Sequence, residues 1–156
     1  MAAVDLNIEG LDELNKKLKR LGNSKIAKRI ARKAGRQAMN LVRDAARNNA
    51  KAIDDPATAE KIHKNIVVQG GKSSNPNEIK IRVGVKGGAG QNQYSVSTAG
   101  LSGGDTRHWR FIEFGTSLIQ AFPFMRLALS QNINKVTNKF VQVFDVEITK
   151  ALREAI

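Results

Sequence analysis

Cysteine is absent from the sequence, and aromatics and prolines are scarce, at 5% aromatic residues and three prolines in 156 residues. Without cysteine there is no disulfide bond and no thiolate ligand for a metal. No run approaches the roughly 20 apolar residues of a membrane-spanning helix, and residues 1–21 lack the apolar stretch of a secretory signal peptide. We therefore expect a soluble, single-domain protein over residues 1–156 that is made in a cytoplasm and does not contact a membrane.

The excess positive charge is confined to one segment. The net charge is +12, and residues 16–51 hold 13 Lys and Arg against one acid, Asp44. The rest of the chain has 13 basic and 13 acidic residues and is neutral overall. Such a local excess indicates an acidic partner rather than a general need for solubility.

Apolar residues at helical spacing predict two consecutive helices in this region. The first contains Leu11, Leu14, Leu18 and Leu21 and ends at Gly22. Ser24 is the predicted cap of a second, alanine-rich helix that ends before Asp54. Beside its apolar stripe runs a basic stripe, predicted to contact DNA or an acidic partner: Lys25, Arg29, Arg32, Arg36, Arg43 and Arg47. The alternative is a solvated helix face.

Alternating apolar residues predict strands in three places. Val4 to Ile8 is a short candidate, and Ile66–Gln69 and Ile79–Val85 read as a hairpin after a helical turn over Glu60–Asn65. Trp109–Phe114 is the third candidate, because aromatic and β-branched residues favour strands. Gly115 and Thr116 would end that strand.

Residues 87–107 form a predicted flexible loop. This segment has six glycines and little to bury, and loops this long are functional or disordered. Its start, Gly87-Gly88-Ala89-Gly90, lacks the Gly-Lys-Ser/Thr of a phosphate-binding loop. Its anchors on a neighbouring subunit would be Tyr94, Val96 and Leu101.

From Pro123 to Ile156 the spacing of apolar residues predicts one long helix, with proline suited to its first turn. The β-branched stretch Val141–Thr149 could alternatively be a strand. Roughly 30 helical residues would span about 45 Å, longer than a small domain. The helix must therefore kink, or protrude onto a neighbour, which hints at an oligomer. The expected fold is α+β: a small antiparallel sheet packed by the long basic helix and the C-terminal helix.

The sequence offers no catalytic, cofactor or metal motif. His63 and His108 are the only histidines, and neither has the spacing of metal ligands. Glu113 lies among aromatics, but no second carboxylate is near it in sequence. We expect Glu113 to be structural, accepting backbone N–H bonds or pairing with an arginine, and we expect no enzymatic activity and no cofactor.

Five of the eight aromatics lie between Trp109 and Phe124, and this segment resembles a known family. The stretch Trp109-Arg-Phe-Ile-Glu-Phe-Gly-Thr116, then Ala121-Phe-Pro-Phe-Met-Arg126 and Ala128-Leu129, is similar to the signature of tailed-bacteriophage tail-completion, head–tail joining or tail-component proteins. Ile8 to Leu14 resembles the family's opening, and Lys80–Val85 is a weaker match. Leu127 stands where the family often has a second proline.

The resemblance implies a structural virion protein of the phage neck, made in the host cytoplasm. Such proteins form rings, usually hexamers, that join the head-completion (connector) proteins to the tail terminator or tail tube, with DNA in the bore. The junction that orients the last helix would consist of Trp109, Phe111, Glu113, Phe114, Gly115, Thr116, Phe122, Pro123 and Phe124. The alternatives are a tail terminator that caps the tube and, from another class, a basic nucleic-acid-binding module.

Overall fold

The computed structural model describes residues 10–87 and 98–155. In chain order its elements are α1 (Leu11–Leu21), α2 (Ser24–Lys51), α3 (Ile62–Asn65), β1 (Ile66–Gly71), β2 (Lys80–Val85), α4 (Trp109–Phe114), α5 (Phe124–Ser130) and α6 (Ile133–Glu154). The strands pair antiparallel, with Ile66 opposite Val85 and Gly71 opposite Lys80. The predicted α+β class and the hairpin are confirmed, while the strand predicted near Val4 lies outside the described residues.

Helix α2 is the central helix of the domain, and its two halves contribute side chains to two different apolar clusters. Its C-terminal half contributes to the first cluster: Val42, Ala46, Ala50, Ile62, Ile66, Val85, Phe124 and Ala128. Its N-terminal half contributes to the second: Leu14, Ile30, Ala34, Phe144 and Ile148. Helix α5 therefore packs on the C-terminal half of α2, and α1 and α6 contribute to the cluster on its N-terminal half. The hairpin extends along α2, since Ile66 and Val85 belong to the first cluster and Ile81 lies against Gly35. Small side chains allow close approach, since a Cβ on Gly35 would lie 2.9 Å from Cγ1 of Ile81.

The first two helices meet at a tight connection. Gly22 has a φ of 59°, and its N–H donates to the carbonyl of Leu18, so the glycine ends α1 as predicted. The cap of α2 is Asn23, whose side chain accepts from the N–H groups of Lys25 and Ile26 at 3.1 and 3.2 Å. The prediction of Ser24 as the cap is wrong by one residue, because the asparagine carbonyl reaches both free amides.

The C-terminal helix is broken rather than continuous. Helix α5 ends at Ser130, and α6 begins at Ile133 after Asn132, whose side chain donates to the carbonyl of Ala128 at 2.8 Å. The 22 residues of α6 span about 33 Å. The break removes the argument that an overlong helix must reach a neighbour. Val141–Thr149 is helical, so the strand alternative is excluded.

The aromatic segment Trp109–Phe114 is a short helix, and the strand prediction is wrong. Trp109 and Ile112 pack on the first cluster and Glu113 is buried, while Phe111 and Phe114 are exposed. Inward positions at i, i+3 and i+4 have the period of a helix and not of a strand. The β propensity of aromatics yields here to the packing of one helical face.

The segment predicted to be a flexible loop is partly tied to its own domain. Residues 88–97, including Tyr94 and Val96, lie outside the described residues. In the second half, the N–H of Gly103 donates to Oδ1 of Asn65 at 2.9 Å, and the N–H of Lys61 donates to the carbonyl of Gly103 at 2.8 Å. The side chain of Leu101 lies against Gly87 of the same chain. The expectation of few contacts is wrong for residues 98–107, because buried polar groups hold them where apolar groups are few.

Candidate functional site

Glu113 organises the junction between α4 and α5. Its side chain is 1% exposed and accepts from the N–H groups of Met125 and Arg126 at 2.8 and 3.0 Å. It also accepts from Nε of Arg126 at 3.0 Å. Pro123 precedes α5 and provides no side-chain cap. The carboxylate of Glu113, which is 12 and 13 residues away in sequence from its two backbone donors, therefore caps the N-terminus of α5. This is the structural role expected from the sequence.

Arg126 closes the junction on its outer side. Its Nη2 donates to the carbonyl of Glu113 at 2.8 Å, and its guanidinium lies 5.1 Å from the centroid of the Phe114 ring. One arginine thus holds the last turn of α4, the capping carboxylate and an exposed aromatic ring together. The orientation of α5 is fixed by these contacts.

The connection from α4 to α5 is a closed turn. Gly115 has a φ of 74°, and a Cβ there would lie 2.8 Å from the amide nitrogen of Ala121, so only glycine fits. The N–H of Thr116 donates to the carbonyl of Ile119 at 2.9 Å, and that of Phe122 donates to the carbonyl of Ile112 at 2.7 Å. The turn is hydrogen-bonded although its apolar side chains face outward.

Large apolar side chains are concentrated on this junction. Leu118 is 93% exposed, and Phe114 and Ile119 are more than half exposed. We call the following set the junction surface: Phe111, Phe114, Leu118, Ile119 and Phe122. Concentrated exposed apolar residues mark sites of protein association. The predicted aromatic set therefore divides, since Phe124 is fully buried and Trp109 is half-buried, while the other three aromatics face outward.

Behind the junction lies an apolar depression of about 360 Å³, lined in part by Val67, Val83, Trp109 and Met125. The indole N–H of Trp109 is buried and lacks an acceptor among the described residues. Buried donors normally have a hydrogen-bond partner. The indole N–H of Trp109 is therefore an unsatisfied donor next to the junction surface. The sequence alone gave no signal for it.

The members of the predicted basic stripe have different surroundings. Arg47 donates through Nε and Nη2 to the carbonyl of Ile66 at 3.1 and 2.8 Å, which joins α2 to β1. Arg43 pairs with Asp44 at 2.8 Å. These two residues at the C-terminal end of the stripe have partners within the domain, whereas Lys25, Arg29, Arg32 and Arg36 are exposed.

Two members of the stripe join lysines from the hairpin to form a cleft of about 590 Å³. We call it the basic cleft, and its charged lining residues are Lys28, Arg32, Arg36, Lys72, Glu78 and Lys80. Gly70 and Gly71 lie between its walls, and a Cβ on Gly70 would lie 3.5 Å from Nη2 of Arg36. Among the described lining residues the net charge is +4. The sequence pattern of α2 could not indicate Lys72 and Lys80, because their position in the cleft depends on how the hairpin packs against α2.

Glu78 is the acid in the basic cleft, and it is already engaged. Its carboxylate accepts from the hydroxyl of Ser73 and lies 3.3 Å from Nζ of Lys80. The hydrogen bond from Ser73 is the main reason that the pKa of Glu78 is lowered, with Lys80 acting in the same direction. The carboxylate is therefore charged at neutral pH and offsets part of the charge of one lysine.

The histidines have structural surroundings. Nδ1 of His63 lies 2.6 Å from Oδ2 of Asp54, whose other oxygen accepts from the N–H of Ile62 at 2.8 Å and so caps α3. Nδ1 of His108 lies 3.8 Å from Glu60. Within residues 10–87 and 98–155, no three His, Asp or Glu side chains cluster as metal ligands would. In that same part of the chain, no helix is long and apolar enough to cross a membrane.

Comparison with known families assigns the chain to one of them. Residues 12–115 match the family model described as "Bacteriophage HK97-gp10, putative tail-component". The chain belongs to this family. The match runs from α1 to the glycine at the end of α4, so it includes the basic cleft and the first half of the junction, whereas α5 and α6 follow it.

The family assignment confirms the resemblance to phage tail proteins and supports a structural role for the chain in the phage tail. No curated protein and no solved structure matches the chain.

Proposed function

We propose that this HK97 gp10-like protein is a structural component of the phage neck. It assembles into a closed ring, a hexamer, between the head-completion (connector) proteins and the tail terminator or tail tube. It is made in the host cytoplasm, resides in the virion and catalyses no reaction. Family membership supports a tail role, and the junction surface is the observation that carries the assembly proposal.

The junction surface suits subunit contact for two reasons. It holds five exposed apolar side chains within residues 111–122, and exposed apolar residues clustered in this way are costly unless a partner covers them. Its backbone is fixed by Glu113, Arg126 and the hydrogen-bonded turn. A preformed surface loses little conformational entropy when it binds, so more of the burial energy appears as affinity.

A closed ring requires two different complementary patches on each subunit. The junction surface would be one of them. The second would be a surface elsewhere on the domain, and contact with DNA in the bore would involve basic residues. The tail terminator remains the alternative within this class, and no feature of the described residues favours it over the neck ring.

Sedimentation of purified variants tests this proposal. The wild-type chain, alone or with a neighbouring neck protein, is expected to form an oligomer near six subunits. The double variant Leu118→Asp/Ile119→Asp should remain monomeric with nearly unchanged melting, because both side chains are exposed. The matched control is Val146→Asp on α6, where an apolar side chain is 61% exposed outside the junction surface, and it should still assemble. A Leu118→Asp/Ile119→Asp protein that assembles normally would contradict the proposal.

A further inference from the structure

The five cations of the basic cleft come from two separate parts of the chain. Helix α2 provides Lys28, Arg32 and Arg36, and the hairpin provides Lys72 and Lys80. In α2 these residues are successively four apart, so they lie on one face, with about 5–6 Å between the Cβ atoms of each neighbouring pair. The cleft is open and is lined by side chains that are mostly exposed. Bringing like charges together is unfavourable unless an anion occupies the space between them.

We propose that the basic cleft binds the sugar–phosphate backbone of DNA without reading its sequence. This inference deepens the proposed role beside DNA in the phage neck and rests on that role for its biological meaning. The ligand is one phosphodiester strand, presented either as single-stranded DNA or as one edge of a duplex. A duplex is too wide to enter a cleft of about 590 Å³, so it would contact the rim through its phosphates.

The chemistry of the lining favours a phosphate polymer over an acidic protein. Three of the five cations are lysines, a residue type depleted in the cores of protein–protein interfaces. The described residues of the lining include no aromatic side chain, and aromatic anchors provide much of the affinity of protein partners. One arginine guanidinium group can donate two parallel hydrogen bonds to the oxygens of one phosphate. Arg32 and Arg36 are both exposed and can make such bonds.

The same lining explains why sequence would not be read. Bases are recognised by stacking on aromatic rings or by hydrogen bonds to their edges, whereas phosphate contacts only fix position. Gly70 and Gly71 line the cleft with backbone only, and the side chains of Arg36 and Lys80 lie against them. The contact is therefore electrostatic, and its strength must fall as salt rises.

The test measures binding of the full-length chain to a fluorescent DNA oligonucleotide of arbitrary sequence as salt increases. With a double-stranded oligonucleotide, four net charges engaging about four phosphates predict a slope near −3.6 in log affinity against log salt. Affinity should then fall roughly 150-fold between 50 and 200 mM salt. A second oligonucleotide of different sequence should bind equally well. Absence of binding at 50 mM salt, or a slope near zero, would overturn the proposal.

Two double variants with the same change in net charge locate the site. Arg32→Gln/Arg36→Gln should reduce the slope by about two and weaken binding roughly 60-fold at 0.1 M salt. Lys19→Gln/Arg20→Gln changes two exposed cations of α1, which packs on α6, and should lose far less. Equal losses in the two variants would overturn the assignment to the cleft. Circular dichroism should show equal melting for both, since exposed charges contribute little to stability.

A glutamate polymer of matched charge, used as competitor, separates phosphate from carboxylate. Displacement of DNA only at much higher competitor concentration supports the phosphodiester assignment, and equal potency overturns it. Binding is measured on the free subunit and does not require ring formation. A chain that binds DNA through the cleft but stays monomeric would contradict the proposed ring and leave this inference intact. A chain that forms the ring but does not bind DNA through the cleft would overturn this inference and leave the proposed ring intact.

Discussion

Replacing Glu113 by Gln should destabilise the domain far more than replacing its arginine partner. The carboxylate is 1% exposed and accepts two backbone N–H groups of α5. A glutamine amide can keep one acceptor but turns an NH2 group toward the other donors. A buried donor without an acceptor costs about 1–3 kcal/mol, and the loss of charge-assisted bonding adds to this cost. We therefore expect Glu113→Gln to lower the free energy of unfolding by about 2–3 kcal/mol.

Arg126→Gln is the matched comparison, because it removes the exposed contacts of Arg126 with the carboxylate, the Glu113 carbonyl and Phe114 but leaves both backbone bonds to the Glu113 carboxylate. The side chain of Arg126 is 59% exposed, so its charge interaction is screened and is expected to contribute about 0.5–1 kcal/mol. Thermal unfolding followed by circular dichroism measures both variants. For a chain of this size the Glu113 variant should melt about 5–10 °C lower. Equal shifts in the two variants, or a Glu113 shift within about 1 °C, would refute the capping role.

Three further predictions concern other contacts. Asn65→Ala should cost about 2–3 kcal/mol and speed hydrogen exchange at the amide of Gly103, because the buried amide side chain bonds Gly103, Gly104 and Thr106; unchanged exchange would exclude this tie. Arg47→Gln should cost about 1 kcal/mol in urea unfolding by releasing the carbonyl of Ile66, and an unchanged midpoint would show that this bond is replaced by water. Hydrogen exchange should be slow at the hydrogen-bonded amides of residues 98–107 in the free subunit, because Gly103 bonds Asn65 and Gly104 bonds Leu101; rapid exchange at these amides would contradict the contacts that hold the segment.

Most of the helical framework could be predicted because its signals are local. Leucines at helical spacing and Gly22 define α1, and the alanine-rich stripe defines α2. The hairpin follows from the alternation in Ile79–Val85. Each of these patterns depends on residues that are close in sequence, and the core contacts agree with the local preference.

The errors arose where tertiary contacts override local preference. Trp109–Phe114 has the composition of a strand, yet it packs one helical face on the core with Glu113 inward. The break before Ile133 is accompanied by a side-chain hydrogen bond from Asn132 to the carbonyl of Ala128, and no periodicity reveals it. Residues 98–107 are held by hydrogen bonds to the buried side chain of Asn65. The prediction of a flexible loop considered only how few apolar residues the segment has, so it did not include these bonds.

The interaction surfaces were predictable in part. The role of Glu113 as an acceptor of backbone bonds follows from a lone carboxylate among aromatics, although its donors in α5 required the fold. The basic stripe gave Arg32 and Arg36 but also Arg43 and Arg47, which have partners in the domain. Lys72 and Lys80 complete the cleft only because the hairpin packs beside α2. A linear sequence does not show that basic side chains from two distant segments lie next to each other in the fold.

Cryo-electron microscopy of intact virions tests the central claim most directly. The account predicts a closed ring of identical subunits at the junction of head and tail, into which this domain fits with the junction surface buried between neighbours. Virions produced with the Leu118→Asp/Ile119→Asp protein should lack the ring and accumulate as separate heads and tails. Location of the protein only at the distal tail, its absence from virions, or a ring whose subunits leave Leu118 and Ile119 in solvent would contradict the account.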